Sequence, residues 1–413
     1  MVKPERRTRA DVVAAVAIVA VIALAAVLIW WTSDARATIS RPAAAPVPHL
    51  APAKVVPDAL RQLWTARSPK TTMPLEVAGS VVTGDGHEVA GRDPATGNVL
   101  WTYARDLDLC GVTWVYNDAV AVYPDERGCG QVSTIDAATG MRGPSRTAYA
   151  DPEVTLSSDG TTVLSAGDSR LELWRSDMVR MLSYGSLDAR IKPGTPASPL
   201  CRLVSAAASS VAVSVLEACP KQNDLRLTLL RPADEEDTPN TKYVQLPGVT
   251  DDSGARVIAV SDTFTAVYVP TPKPTVNTVD ETGVTIASTL LDKPPSANAT
   301  TSRTGDLVTW WTGDSLMVFS ANGLRYKYTV AAAGTNSPLG PAVVMAGRLL
   351  VPVTGGYDVF DPANGAGERH ITLAGAPPTR SVGGRAPSSD AVVPAVAGSM
   401  LLEQRGDQVV ALG

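Results

Sequence analysis

The sequence has little of what builds most catalytic centres. Three histidines occur in 413 residues, His49, His87 and His370, too scattered to assemble a metal site or to supply the base of a triad. Cysteine is limited to four residues, with neither a Cys-x-x-Cys nor an adjacent pair, which argues against structural zinc. Aromatics make up 5% of the chain, so alanine and valine must fill the core. A basic stripe is missing as well: the net charge is −5, and nothing in the pattern offers a footprint for nucleic acid.

Long apolar runs are absent except for one. Residues 12–31 carry no charge and end in Trp30 and Trp31, about 30 Å of helix at ~1.5 Å per residue, enough to cross a bilayer with aromatics at the interface. Before the run, Lys3, Arg6, Arg7 and Arg9 against Glu5 give +3, which leaves −8 for the remainder and predicts a cytoplasmic N-terminus. Ala35-Arg36-Ala37 offers the competing reading of a cleaved signal peptide, but a signal core is usually only about 7–15 residues long. Either way the bulk of the chain is exported. Cys110 and Cys129 are 19 apart and Cys201 and Cys219 are 18 apart, and each pair brackets two apolar runs. That spacing predicts one hairpin used twice, each disulfide tying its open ends in an oxidising compartment. The expected organisation is a basic tail (1–10), a membrane helix (11–31), a linker (32–59) and an extracytoplasmic domain (60–413). The linker holds Pro42, Pro46, Pro48, Pro52 and Pro57 among alanines and reads as an extended spacer of up to ~3 Å per residue that holds the domain off the membrane.

Glycine and proline, 33 and 32 residues, punctuate what remains into many short strands. The clearest hairpin runs through residues 89–103. There Asp93-Pro94 opens a turn, Gly97 supplies the positive φ that closes it, and Trp101 follows four residues later. The pattern Ala90-x-x-Asp93-x-x-Thr96-Gly97-x-x-x-Trp101 resembles the repeat of PQQ-binding-like β-propellers. By that resemblance Trp101 docks one blade on the next, and the echo Leu63-Trp64-Thr65 lets Trp64 finish the last blade and close the ring. Third strands are expected at 87–92, 131–135, 170–174, 225–230, 275–279, 315–320, 357–360 and 408–412, a spacing near that of four-stranded blades. The fold class is therefore all-β: an eight-bladed β-propeller, with seven blades as the alternative, behind one N-terminal transmembrane helix. Thr139-Gly140, Thr282-Gly283, Asn322-Gly323 and Asn364-Gly365 repeat the turn. Pro144, Ala287, Lys327 and Arg369 replace its tryptophan.

Two stretches break the period. Residues 231–240 hold Asp234, Glu235, Glu236 and Asp237 between prolines and read as a solvated acidic loop; residues 375–395 read as a mobile connection. Both suit binding on a rigid scaffold. Trp310 and Trp311 are adjacent on a strand and point to opposite faces, so one is a candidate interface anchor. Gly313-Asp314-Ser315-Leu316 spells an esterase motif, and Arg405-Gly406-Asp407 an integrin-binding tripeptide. Each falls on the Gly-Asp turn that recurs at Gly84-Asp85 and Gly167-Asp168, so both read as hairpin turns. Asn298-Ala299-Thr300 is a glycosylation sequon by rule.

Quinoprotein dehydrogenases share the repeat, and the resemblance would bring a quinone, a calcium ion and a disulfide between adjacent cysteines. No adjacent pair and no calcium set can be matched here, so no cofactor, metal or catalytic residue is expected. The alanine- and valine-rich composition resembles mycobacterial and actinobacterial single-pass membrane proteins. That resemblance implies a non-enzymatic scaffold on the cytoplasmic membrane that binds envelope proteins or lipids in cell-wall assembly. A quinone- or calcium-dependent oxidoreductase and a ligand-sensing ectodomain are the alternatives. A scaffold predicts an exposed loop patch without buried charge clusters. An enzyme predicts acidic, amide and arginine side chains converging at one mouth of the channel, with shifted pKa values.

Overall fold

The structure, a computed structural model, describes residues 8–186, 201–332, 337–375 and 391–413. Most of the basic tail (1–7) and of the expected mobile connection (376–390) lies outside the described residues. Thr8 caps the helix Arg9–Trp31, its hydroxyl accepting from Asp11 N while Asp11 accepts from Thr8 N. None of its residues is buried against protein, and Arg36 stacks over the Trp31 ring at 3.9 Å. By length and composition this helix can cross a membrane.

Among the described residues, everything after residue 38 is strand, turn or irregular loop; six sheets contain four or five strands each, and a seventh contains eight. The eight-stranded sheet is two four-stranded halves joined by parallel pairing of Ala59–Arg67 with Gly367–Ala374. The strands thus group into up-and-down units of four, numbered here 1 (75–104), 2 (111–147), 3 (155–185), 4 (202–245), 5 (256–290), 6 (300–330), 7 (343–374) and 8 (392–412 with 59–67). Every run expected to be a third strand overlaps the third strand of one unit, with His87, Leu225 and Ser315 falling one residue before it. Second and third strands are nearly continuous apolar runs because both of their faces are covered, as in Leu307–Trp311, buried throughout. Fourth strands are mostly exposed and polar, as in Asn240–Gln245.

What makes these sheets a β-propeller is where the apolar side chains go. The core divides into eight clusters, each shared by two successive units. The last joins Val81 of unit 1 to Ala397, Leu402, Val409 and Ala411 of unit 8. Unit 8 is completed from the other end of the chain: Ala59–Arg67 pairs antiparallel with Gln408–Leu412, Trp64 opposite Ala411. The ring therefore closes through hydrogen bonds between the two ends of the domain, removing two free sheet edges.

Two expectations are corrected here. The proline-rich segment does not stand free as a spacer. Ile39–Arg41 adds a fifth strand to the outer edge of unit 1, Ile39 opposite Ala104. Ala43 N and Val47 N donate to Thr139 O and Ala138 O of unit 2 at 2.9 and 2.8 Å. Pro48 then crosses Gly79 of unit 1 and Leu50 crosses Gly398 of unit 8, positions without a Cβ in the way. Proline withholds donors and fixes φ, and here it gives a stiff strap that lies along the turns of one face. The two disulfides, Cys110–Cys129 and Cys201–Cys219, are paired as expected but do not serve one hairpin geometry. Cys201 and Cys219 flank the register pair Arg202 and Ala218, at the open end of the first hairpin of unit 4. Cys129 instead lies within the third strand of unit 2, so its bond reaches from the start of the first strand past the end of the second.

Candidate interaction surface

The repeat motif builds a seam. In unit 1 the Asp93 carboxylate accepts from Thr96 N at 2.8 Å and from the Thr96 hydroxyl at 3.0 Å, which holds the turn so that Gly97 takes φ +73°. Unit 2 repeats this with Asp136, Thr139 and Gly140. Trp101 lies on Gly140 of the next unit and donates its indole N–H to Ala137 O at 2.8 Å. A Cβ on Gly140 would sit 2.5 Å from Trp101 Cβ, and one on Gly91, its cross-strand partner, would sit 2.1 Å from the indole ring. The ring is thus held between two positions that only glycine can occupy, and Trp101 is 1% exposed. Trp64 repeats the arrangement across the closure, lying on Gly97 and donating to Pro94 O at 2.8 Å.

Elsewhere the same place is taken by other side chains. Tyr328 lies on Gly365 of unit 7 and donates to Pro362 O at 3.2 Å; burial pushes its hydroxyl pKa up to about 12. Arg146 of unit 2 donates to Met178 O in the corresponding turn of unit 3 at 2.8 Å. Arg369 donates to Val56 O and pairs with Asp58, both at the entry to the outer strand of unit 8. In four seams the device is an outer-strand side chain that donates to a carbonyl of the next unit's last turn. Spacing from the glycine hid it, because Tyr328 stands five residues after Gly323 and Arg146 six after Gly140.

Between units 2, 3 and 4 the seam is ionic. Glu172 is 3% exposed and meets Arg146 at 3.0 Å, Arg170 at 2.6 Å, Arg180 at 3.3 Å and the Trp174 indole N–H at 2.8 Å. Arg180 continues to Glu236 at 2.7 Å. Burial alone would raise the Glu172 pKa, but Arg146 and the hydrogen bonds from Arg170 and Trp174 outweigh it and hold the carboxyl below its usual value of 4.5. The acidic stretch is therefore not a solvated loop. Glu236 O accepts from Ser183 N at 2.6 Å, Asp237 is buried at 4% exposure, Glu235 is partly covered, and Asp234 alone of the four is fully exposed. Its Glu236 answers Arg180 of unit 3.

A measurable consequence follows from the sign. A depressed carboxyl pKa stabilises the fold above the unfolded-state value near 4.5 and loses that contribution as pH falls through the folded value. Glu172→Gln leaves the arginine cluster without its central anion, so a loss of about 3 kcal/mol is expected at pH 7. Urea unfolding at pH 7 and pH 3.5 should show the gap between wild type and variant narrowing in acid. Parallel losses at both pH values would contradict the assignment.

Buried charge clusters are thus present, against the expectation for a scaffold, but they do not converge. Glu217 of unit 4 accepts from Arg226 at 2.7 Å and from the Thr228 hydroxyl at 2.5 Å, within one sheet. The adjacent Cys201 and Cys219 sulfurs are consumed by their disulfide. Glu403 of unit 8 accepts from the Tyr357 hydroxyl of unit 7 at 2.5 Å and from Arg405 Nε at 2.5 Å. Each acid tightens its own unit or seam. Trp310 and Trp311 do point to opposite faces, but neither is an interface anchor: they are 1% and 5% exposed. Trp310 packs beside Tyr268, centroids 6.0 Å apart, and Trp311 donates to Pro338 O at 2.7 Å. Both faces of that second strand are seams.

Ser315 donates to its neighbour Asp314 at 3.0 Å in a hairpin turn, and His370 pairs with Asp358 across two strands of unit 7 at 2.7 Å. His87 lines a groove of about 280 Å³ where unit 8 meets unit 1, with Arg67, Asp85, Glu88 and Arg92. Arg67 spans it to Asp85 at 3.3 Å and Asp407 at 3.1 Å. A second groove of about 230 Å³ lies between units 3 and 4 around Ser157, Asp168 and Ser205.

No protein-family model matches the chain, and no curated protein matches it. Among solved structures it is similar to BamB from Moraxella catarrhalis, at 16% identity and TM-score 0.49 over 86% of this chain and 99% of that one. It is similar to the dihydro-heme d1 dehydrogenase NirN, solved in complex with DHE, at 13% and 0.45 over 89% and 73%. It is also similar to the Pan2 WD40 domain of Neurospora crassa, at 11% and 0.43 over 74% and 89%.

Proposed function

We propose that the chain is a single-pass protein of the cytoplasmic membrane whose eight units are the blades of one extracytoplasmic propeller, a non-enzymatic scaffold that binds envelope proteins or lipids. The supporting observation is how the chain leaves its helix. Only eight steps separate Trp31 from Ile39, where the backbone is already bonded to unit 1, so the propeller rim lies within about 29 Å of the helix end at ~3.6 Å per residue. A docked strap in place of a flexible spacer presents the disc to the membrane through one fixed edge. The basic N-terminus supports a cytoplasmic tail, and two disulfides support an oxidising compartment on the other side. A role in cell-envelope assembly rests on the compositional resemblance to actinobacterial membrane proteins.

Crosslinking in intact cells, followed by purification of the full-length protein in mild detergent and mass spectrometry of protein and lipid, tests this reading. One reproducible envelope partner or bound lipid is expected. A partner-free, lipid-free protein that reduces a quinone would overturn it.

A further inference from the structure

The groove where unit 8 meets unit 1 holds a charge pattern that neither unit uses. Its floor is one face of two neighbouring strands of unit 1: alternation turns Thr83 and Asp85 of Ser80–Asp85, and Glu88, Ala90 and Arg92 of Glu88–Arg92, to the side of unit 8. Thr83 stands opposite Ala90, and Asp85 opposite Glu88. Arg92 marks one end. Its Nε donates to Thr83 Oγ1 at 3.1 Å and its Nη1 to Gly97 O at 3.1 Å, which fixes the guanidinium there, while Nη2 has no partner among the described residues. A guanidinium stays charged. Burial pushes the Arg92 pKa down and the field of Glu88 opposes it, so this cation is partly desolvated with no anion in contact. The other end is acidic. Asp85 and Asp407 share Arg67, at 3.3 and 3.1 Å, and the Glu88 carboxylate has no hydrogen bond or ion pair among the described residues.

We propose that this groove binds a small zwitterion, an amino acid or a dipeptide with a free ammonium and a free carboxylate. Arg92 takes the carboxylate, and Glu88, with Asp85 opposite it, takes the ammonium. Four residues of strand set the Cα atoms of Glu88 and Arg92 about 13 Å apart at ~3.3 Å per residue, a span that a short backbone fills once both side chains reach it through charge-assisted hydrogen bonds. Between the charges the floor is Thr83 and Ala90, whose short side chains leave the room. The volume, about 280 Å³, lies just below the roughly 300–1,000 Å³ of sites for larger ligands, which suits a small occupant. A simple dianion such as phosphate is disfavoured, because Glu88 and Asp85 would face it with no cation on the ligand to answer them. The inference does not depend on the scaffold reading.

The test is titration calorimetry of the full-length protein in a non-ionic detergent, with alanine and alanylalanine as probes, each also as its N-acetyl and its amide form, and with inorganic phosphate. At least one zwitterion should bind saturably, and its two blocked forms at least about tenfold more weakly. Glu88→Gln should weaken the zwitterion by a similar factor and cancel the penalty of N-acetylation, while Arg92→Gln should cancel the penalty of amidation. Arg92 also bonds Thr83 and Gly97, so Arg92→Gln can unsettle the fold. Glu88→Gln removes a charge that bonds nothing, should leave the melting midpoint unchanged, and carries the test by itself. No saturable binding of either zwitterion, equal binding of a blocked form, tighter binding of phosphate, or binding that Glu88→Gln leaves unchanged would each overturn the proposal.

Discussion

Trp101→Ala lowers the unfolding free energy by about 3–5 kcal/mol, the range for deleting a large buried aromatic, and Trp64→Ala by about 2 kcal/mol, since that ring is only half covered. The asymmetry separates seam docking from simple burial. Trp101 leaves a slot between Gly91 and Gly140, neither of which can fill it without a Cβ, and strands the Ala137 carbonyl it satisfied. Collapse into that slot would require moving two sheets, so most of the cavity penalty persists. Trp101→Phe keeps most of the volume but loses the hydrogen bond, and should cost about 1–2 kcal/mol. Chemical denaturation of the three variants checks the order; equal effects for Trp101→Ala and Trp101→Phe would place the energy in the hydrogen bond instead of the packing.

Deleting residues 60–67 has the larger consequence: the domain should lose cooperative unfolding altogether. The deletion removes the outer strand of unit 8, with Leu60 buried at 2% exposure and the register from Gln62 to Arg67. It also removes the parallel pairing to unit 7 and the Trp64 contact on unit 1. One edit therefore opens the ring at two seams, and every cluster in a ring depends on both neighbours being held in place. Calorimetry of the wild-type and deleted domains decides it: an unchanged, sharp melting transition would mean that the other seams suffice and that closure contributes little.

The ring was legible wherever chemistry is local. The Asp93 to Gly97 turn could be read because a carboxylate capping its own backbone and a glycine at positive φ are properties of five residues. The third strands could be read from apolar runs between turns, and the opposite orientation of Trp310 and Trp311 from strand alternation alone. The partner choice of Cys110 and Cys201 could be read from their repeated separation. The surroundings of these residues were not legible. Trp310 and Trp311 are buried on both faces because a second strand in a ring has a neighbouring sheet on either side. The acidic stretch was read as solvated because the counter-ion of Glu236, Arg180, stands 56 residues before it in the chain.

What the sequence determined by itself was the strand-and-turn period and the membrane-length helix, since each is set by contacts within about a dozen residues; the docking role of Trp101 came from the repeat it resembles, because its acceptor Ala137 stands 36 residues away. Only the tertiary structure decided that the proline-rich segment is a strap lying across units 2, 1 and 8, that Tyr328 and Arg146 do the work of Trp101, and that Glu172 anchors three arginines. Those outcomes depend on which surfaces the closed ring brings within 3 Å of one another, and a one-dimensional pattern carries no term for that proximity.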